Sequence, residues 1–193
     1  LNDIRNQLGN SYWIAKRRLE YLQKKFKRNP NLEKAYTEFI DEYKTLHHLE
    51  EVLDNKSDND PTRIQYLPHH CVVREESSTT KLRVVFDGSA STATGKSLNE
   101  AQLVGAKQQK DLFDVLLRFG NHKYAMTTDI EKMYRQVLVH NDDCDLQRIL
   151  WYENDQLKTY RLKTVTYGTS SAPFLAIRCL KQLAIEEQNN YPI

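Results

Sequence analysis

The chain has 193 residues, 39% hydrophobic and 28% charged, enough to bury a core in one large domain or one and a half small ones. A mean hydropathy of −0.71 excludes a bilayer-spanning run, the opening LNDIRNQLGN has no signal-peptide h-region, and a net charge of +2 does not by itself require a nucleic-acid partner. Cys71, Cys144 and Cys179 lie far apart without CxxC spacing, which points to a reducing, intracellular compartment and away from a disulfide framework or a zinc module.

Charge is distributed unevenly. Residues 1–30 carry eight Lys/Arg against two Asp/Glu, and residues 31–54 carry two Lys against seven acidic residues. Such asymmetry is either an electrostatic footprint or a pair of neighbouring elements that neutralise each other on packing. Mutual neutralisation is the expectation.

Tyr12, Ala15, Leu19, Leu22 and Phe26 recur at the spacing of one helix face. Asn29-Pro30 stops that helix, because proline disfavours helical geometry in the residue before it. Asn31 can cap a second helix with Leu32, Tyr36, Phe39, Tyr43 and Leu46 on its face. The pair predicts a helical hairpin over roughly 11–52. DNKSDNDPT, residues 54–62, has no apolar residue and reads as a linker, dividing a segment 1–62 from a segment 63–193.

Beyond it the character turns to strand. QYLPHHCVVR (65–74) and KLRVVFDG (81–88) predict a hairpin, and SASTATGKS (89–97) a loop. Leu112, Val115, Leu116 and Phe119 predict a helix ended by Gly120-Asn121. Strands are expected near 123–129 and 136–140, then a hairpin of LQRILWYE and LKTYRLKT around Asn154-Asp155. VTYGTSSAP (165–173) is a turn, and a helix from about 172 to 187 carries Phe174, Ile177 and Leu180 on one face. There is no internal repeat, and the fold class is α+β behind a helical hairpin.

Several tempting sites are weak. His47-His48 and His69-His70 with Cys71 suggest metal, but neighbours on a strand point to opposite faces, so no zinc site is expected. GSASTATG (88–95) lacks the lysine spacing of a P-loop. Trp13 and Trp151 are assigned to packing.

Three segments in order carry the chemistry. YLPHHCVVREESSTTKLRVVFDGSA, then TTDIEKMYRQVLVH, then VTYGTSSAPFLAIRCL resemble the reverse transcriptase of Pao/BEL-type LTR retrotransposons. The upstream LGNSYWIAKRRLEYLQKKFKRNPNLEKAYTEFIDEY resembles the helical region between protease and polymerase in those polyproteins, so the resemblance covers nearly the whole chain. It implies a partial right-hand polymerase: helical hairpin and linker over 1–62, then fingers and the first half of the palm over 63–193. Implied partners are an RNA or DNA template-primer, a dNTP and the rest of the polyprotein, with no membrane. The implied setting is the cytoplasm or a virus-like particle.

Polymerases hold two divalent cations, Mg2+ or Mn2+, on carboxylates, and a rigid strand end is a good mount for such a ligand. By resemblance Asp129 is the first catalytic aspartate and metal ligand, with the carbonyl of Ile130 beside it. Taken alone, Asp129 reads more readily as the N-cap of the turn at Glu131–Tyr134. Tyr134, five residues on, resembles the aromatic under the sugar of the incoming nucleotide, where a ring excludes a 2′-hydroxyl. Main-chain N–H groups around Lys132, Met133 and Tyr134 can cradle a triphosphate. Arg83 matches the fingers arginine that contacts the triphosphate, since its planar fork bonds phosphate oxygens in pairs. It shares a strand face with Val85 and Asp87, opposite Leu82, Val84 and Phe86, so a pair with Asp87 is the plain alternative. Arg74 and Lys81 flank the hairpin tip as further phosphate contacts. Tyr167 and Gly168 form one wall of the family's pocket, the glycine letting the backbone approach a ligand.

The complete enzyme also needs a hairpin with two adjacent aspartates between apolar residues. The only Asp-Asp pair here, Asp142-Asp143, lies in polar HNDDCDLQR and reads as a loop. Two other functions compete: a non-catalytic nucleic-acid-binding relic that uses the basic helix 11–28 and the fingers hairpin, and a helical protein-interaction element. Two metal ions are expected only in the complete enzyme, so these 193 residues alone should give no magnesium-dependent, template-directed primer extension. Extension of a labelled primer by the purified chain would refute this.

Overall fold

The computed structural model describes residues 3–53, 60, 62–73, 76 and 82–191. After a 3-10 turn at Asp3–Gln7 come α1 (Tyr12–Arg28), α2 (Pro30–Thr45), β1 (Leu49–Glu51), β2 (His69–Val73) and β3 (Leu82–Phe86). There follow α3 (Leu98–Ala101), α4 (Leu112–Gly120), a 3-10 turn at Met133–Gln136, α5 (Asn141–Cys144), a 3-10 turn at Asp145–Gln147, β4 (Arg148–Glu153), β5 (Gln156–Leu162) and α6 (Ala172–Glu186). The chain is α+β, with an antiparallel sheet of order β1-β5-β4 and a separate antiparallel hairpin β2-β3.

The first two helices form where the apolar spacing places them. Ala15, Leu19, Leu22 and Phe26 of α1 are buried, as are Leu32, Tyr36, Ile40 and Tyr43 of α2. Asn29, not Asn31, is the cap: its side chain accepts from the Leu32 N–H at 3.1 Å. Pro30 then opens α2, where a missing N–H costs nothing. The helical hairpin ends earlier than 52. His47 adopts a left-handed φ of 56°, the chain turns, and Leu49–Glu51 pair with β5, Leu49 opposite Leu162. Leu46 is exposed rather than on the core face.

The core crosses the 54–62 stretch, most of which lies outside the described residues. Leu19 and Phe26 of α1, Tyr36 and Ile40 of α2, Val84 and Phe86 of β3, and Ile149, Leu150 and Trp151 of β4 belong to one buried cluster. Tyr36 is its hub. Its ring stacks on Trp151, centroids 5.4 Å apart and planes 9° apart. Its hydroxyl donates to Nδ1 of His69 at 2.5 Å, and Nε2 of His69 donates to the Leu150 carbonyl at 2.8 Å. His70 faces solvent, as strand alternation requires.

The β4-β5 hairpin turns at Asn154 and Asp155, both at positive φ (49° and 60°), the geometry that suits a two-residue hairpin loop. Hydrogen bonds from Lys158, then Lys44 and Tyr160, hold the Glu153 carboxyl down at about 2 and tie α2 to this hairpin.

Other expectations are corrected. No strand forms over 123–129: the backbone is irregular, and Tyr124 and Met126 are exposed. A strand needs a neighbour for its N–H and C=O groups, and among the described residues none pairs with this one. The strand expected at 136–140 is only the bridge Leu138 to Thr164. α4 lies where the periodicity puts it, yet Leu112, Leu116 and Phe119 remain exposed. α6 buries Ala172 and Ala176, while Leu180 is exposed. Ser97 and Glu100 form a capping box that starts α3 at the end of the expected loop, and Asp142-Asp143 sits in the short helix α5. Trp151 packs as expected, but Trp13 is 66% exposed.

Burial lowers the His69 pKa to about 4, with the neutral ring locked between Tyr36 and Leu150. The unfolded chain therefore binds more protons between pH 6.5 and about 4, and stability falls as pH drops through that window. The loss should approach ~3 kcal/mol, because each tenfold difference in proton affinity between folded and unfolded chain is worth about 1.36 kcal/mol. Urea unfolding at stepped pH checks this, and the dependence should flatten in His69→Gln.

Candidate functional site

Segments far apart in sequence meet at an open cleft of about 610 Å³. α2 contributes Phe39, Glu42 and Tyr43, and β3 contributes Arg83. The turn at 132–135 contributes Lys132, Met133, Tyr134 and Arg135, and Tyr167 comes from the turn before α6. Alternation along β3 produces its part: Val84 and Phe86 are fully buried, which leaves Arg83 outward. Lys132 adopts a left-handed φ of 53°, which reverses the chain into the 3-10 turn. An L-residue accepts that conformation at a cost of roughly 1–2 kcal/mol.

Arg135 is the most constrained charge here, only 7% exposed. Its guanidinium lies 4.0 Å over the Tyr43 ring, its Nε donates to His48 Nδ1 at 3.0 Å, and its Nη1 is 3.0 Å from Glu42 Oε1. Its Nη2 is buried without a hydrogen-bond partner among the described residues. Lys132 Nζ meets the same Glu42 oxygen at 2.5 Å. Partial burial opposes ionisation of Glu42, but the Lys132 hydrogen bond and the Arg135 and Lys132 charges outweigh it, holding the carboxyl below its usual range. Burial, and then the Arg135 charge, lower His48, so it stays neutral and accepts from Arg135. Tyr43 and Tyr167 hydrogen-bond each other, and burial pushes both phenols up.

The cleft can therefore take an anion on Arg83, Lys132 and Arg135, and a flat or sugar-like group against Tyr134, which is half-buried. Of the residues singled out in the sequence, Arg83, Lys132, Met133, Tyr134 and Tyr167 come together here. Asp129 and Ile130 do not line the cleft. Asp129 is exposed on irregular backbone instead of at a strand end, without a hydrogen bond or ion pair to any described residue. Among the described residues no group of three or more His, Cys, Asp or Glu is placed to hold a metal ion. Arg74 and Lys81 lie outside the described residues.

Gly168 permits a close approach within the fold itself. At φ +96°, an added Cβ would sit 1.9 Å from the Phe86 carbonyl oxygen. The glycine thus lets the 167–168 turn press on β3, and the adjoining Tyr167 ring packs 5.7 Å from Phe86.

Neither a family model nor a curated protein matches the chain.

Arg135, Glu42 and Tyr43 are absent from the sequence expectations for the site. In the sequence Tyr43 is visible only as a core-face residue, and Glu42 only as one of seven acidic residues. Nothing local marks them as cleft residues, because their placement follows from α2 docking beside β3.

Gly168→Ala should destabilise the fold by about 2–4 kcal/mol, combining overpacking with positive-φ strain. The drop in urea midpoint measures it, and a change under about 0.5 kcal/mol, the size of an ordinary surface substitution, would contradict the close approach.

Proposed function

We propose that the cleft binds a deoxynucleoside triphosphate, and that the chain is the fingers and first-palm part of an RNA-directed DNA polymerase of a Pao/BEL-type LTR retrotransposon. The observation that carries this reading is convergence. Arg83, Lys132, Met133, Tyr134 and Tyr167 belong to three separate sequence motifs, and all five line one cleft. The Arg83 fork and the Lys132 ammonium would take phosphate oxygens. Arg135 adds a rigid, mostly buried cation whose Nη1 would be released as Glu42 leaves, and Tyr134 would lie under the sugar.

Glu42 has a definite part in this reading. Its carboxylate already neutralises Lys132 and Arg135, so an incoming phosphate must displace it. With its side chain 40% exposed, it leaves at small cost, whereas buried Arg135 cannot follow it into solvent.

In polymerases of this type two Mg2+ or Mn2+ ions activate the primer hydroxyl and neutralise the departing pyrophosphate. An isolated, exposed Asp129 does not fit a two-ion site. Nucleotide binding is therefore assigned to these residues, and no transfer step is. Template-primer and the remaining polyprotein are the partners this reading implies.

Titrations with dCTP and CTP test it. The chain should bind dCTP more tightly than CTP, and Arg83→Ala should weaken dCTP about tenfold, the scale of a charged hydrogen bond. Tyr134→Ala should close the gap between the two nucleotides. Glu42→Gln should strengthen dCTP binding by about threefold to tenfold, the scale of a partly exposed ion pair. Absence of dCTP binding, or binding indifferent to Arg83→Ala, would sink the proposal.

A further inference from the structure

α1 carries seven Lys/Arg and one Glu. The acidic residues of 31–54 were expected to neutralise them, and among the described residues none pairs with a basic side chain of α1. Four of these carboxylates are engaged elsewhere: Asp41 with Lys44, Glu42 with Lys132 and Arg135, Glu50 with Arg161 and Lys163, and Glu51 with Lys158. Among the described residues none of the seven basic side chains of α1 forms an ion pair.

Two aromatics share this free face. Trp13 is 66% exposed and Tyr21 61% exposed. At 100° per residue, Trp13, Arg17, Tyr21, Lys24 and Arg28 fall in one narrow stripe, opposite the buried Ala15, Leu19, Leu22 and Phe26. Eight residues separate the two rings, about 12 Å along the axis. Each ring carries an intrahelical lysine, Lys16 at 5.3 Å from Trp13 and Lys24 at 5.4 Å from Tyr21. A lysine so placed can give up the ring face to a base and take the adjoining phosphate. Arg18, Tyr21 and Lys25 also border a recess of about 250 Å³ against Pro68 and His70 of the β2 side, with Asp87 as its one carboxylate.

We propose that the solvent face of α1 is a docking platform for single-stranded RNA or DNA, with Trp13 and Tyr21 stacking bases and Arg17, Lys24, Lys25 and Arg28 holding the backbone. Alternating aromatic and basic groups meet both needs of a single strand, stacking and charge neutralisation. A membrane surface is a poorer match, because an interfacial helix inserts its apolar face and that face of α1 is buried in the core. The platform lies outside the nucleotide cleft and does not depend on the reading of that cleft.

The experiment is an anisotropy titration of fluorescent 20-mers, oligo(U) and oligo(dT), over a range of salt, with an abasic 20-mer as comparison. Wild type should bind both base-bearing strands more tightly than the abasic one, with affinity falling steeply as salt rises. Trp13→Ala and Tyr21→Ala should each weaken base-bearing strands by roughly fivefold to a hundredfold, and together erase the preference over the abasic strand. Lys24→Glu with Arg28→Glu should weaken all three strands and lower the salt slope by about 0.7 per lost contact. All four side chains are exposed, and circular dichroism verifies that the variants fold. Unchanged strand binding in these variants would overturn the proposal. So would polyglutamate or phosphatidylserine vesicles binding as tightly as oligo(U), with the same loss in the variants.

Discussion

The hydroxyl of Tyr36 donates to the buried ring of His69, and much of the molecule hangs on that contact. It joins the middle of α2 to the first residue of β2, while the His69 ring passes the connection on to β4 through the Leu150 carbonyl. The Tyr36 ring meanwhile stacks on Trp151 and meets Phe26 edge-on, bringing in α1. Two polar groups are fully desolvated here, so each must find its partner or cost a few kcal/mol. Apolar packing alone would let α2 slide or roll against the strands. A buried, directional hydrogen bond fixes its register.

That register sets the cleft. Phe39 and Tyr43 follow Tyr36 by three and seven residues, on the same side of α2, and Glu42 lies at the margin of that side. Once Tyr36 is seated, Tyr43 is held under the Arg135 guanidinium, and Glu42 faces Lys132. Arg135, fixed by Tyr43, His48 and Glu42, then anchors the turn that displays Lys132 and Tyr134. On the far wall Gly168 permits Tyr167 to close on Phe86 and Tyr43. The cleft is thus built around packing that reaches into the core, and Lys132 and Arg135 are held by their partners before any ligand arrives.

The same logic explains what stays open. The 123–129 run has the composition of a strand, but a strand is a property of a pair, and no described residue offers an edge to it. α4 and α6 form because helices satisfy their own backbone, yet much of their apolar surface remains exposed. Asp129 shares this exposure: it lies on irregular backbone rather than at a strand end.

Periodicity alone determined the two N-terminal helices, the β2-β3 and β4-β5 hairpins, and the inward sides of α1 and β3, because those patterns reflect local geometry read at 3.6 or 2 residues per repeat. The motifs also named five residues that prove to share one cleft. Tertiary structure alone decided which charges remain free. The sequence showed a basic segment beside an acidic one, and adjacency implied cancellation. Instead Glu42 of α2 turns to the 132–135 turn and Glu50 and Glu51 of β1 turn to β5, and the bases of α1 stay without a described carboxylate. Charges pair by direction and distance after packing, not by nearness along the chain, so that outcome was not legible until the helices had docked.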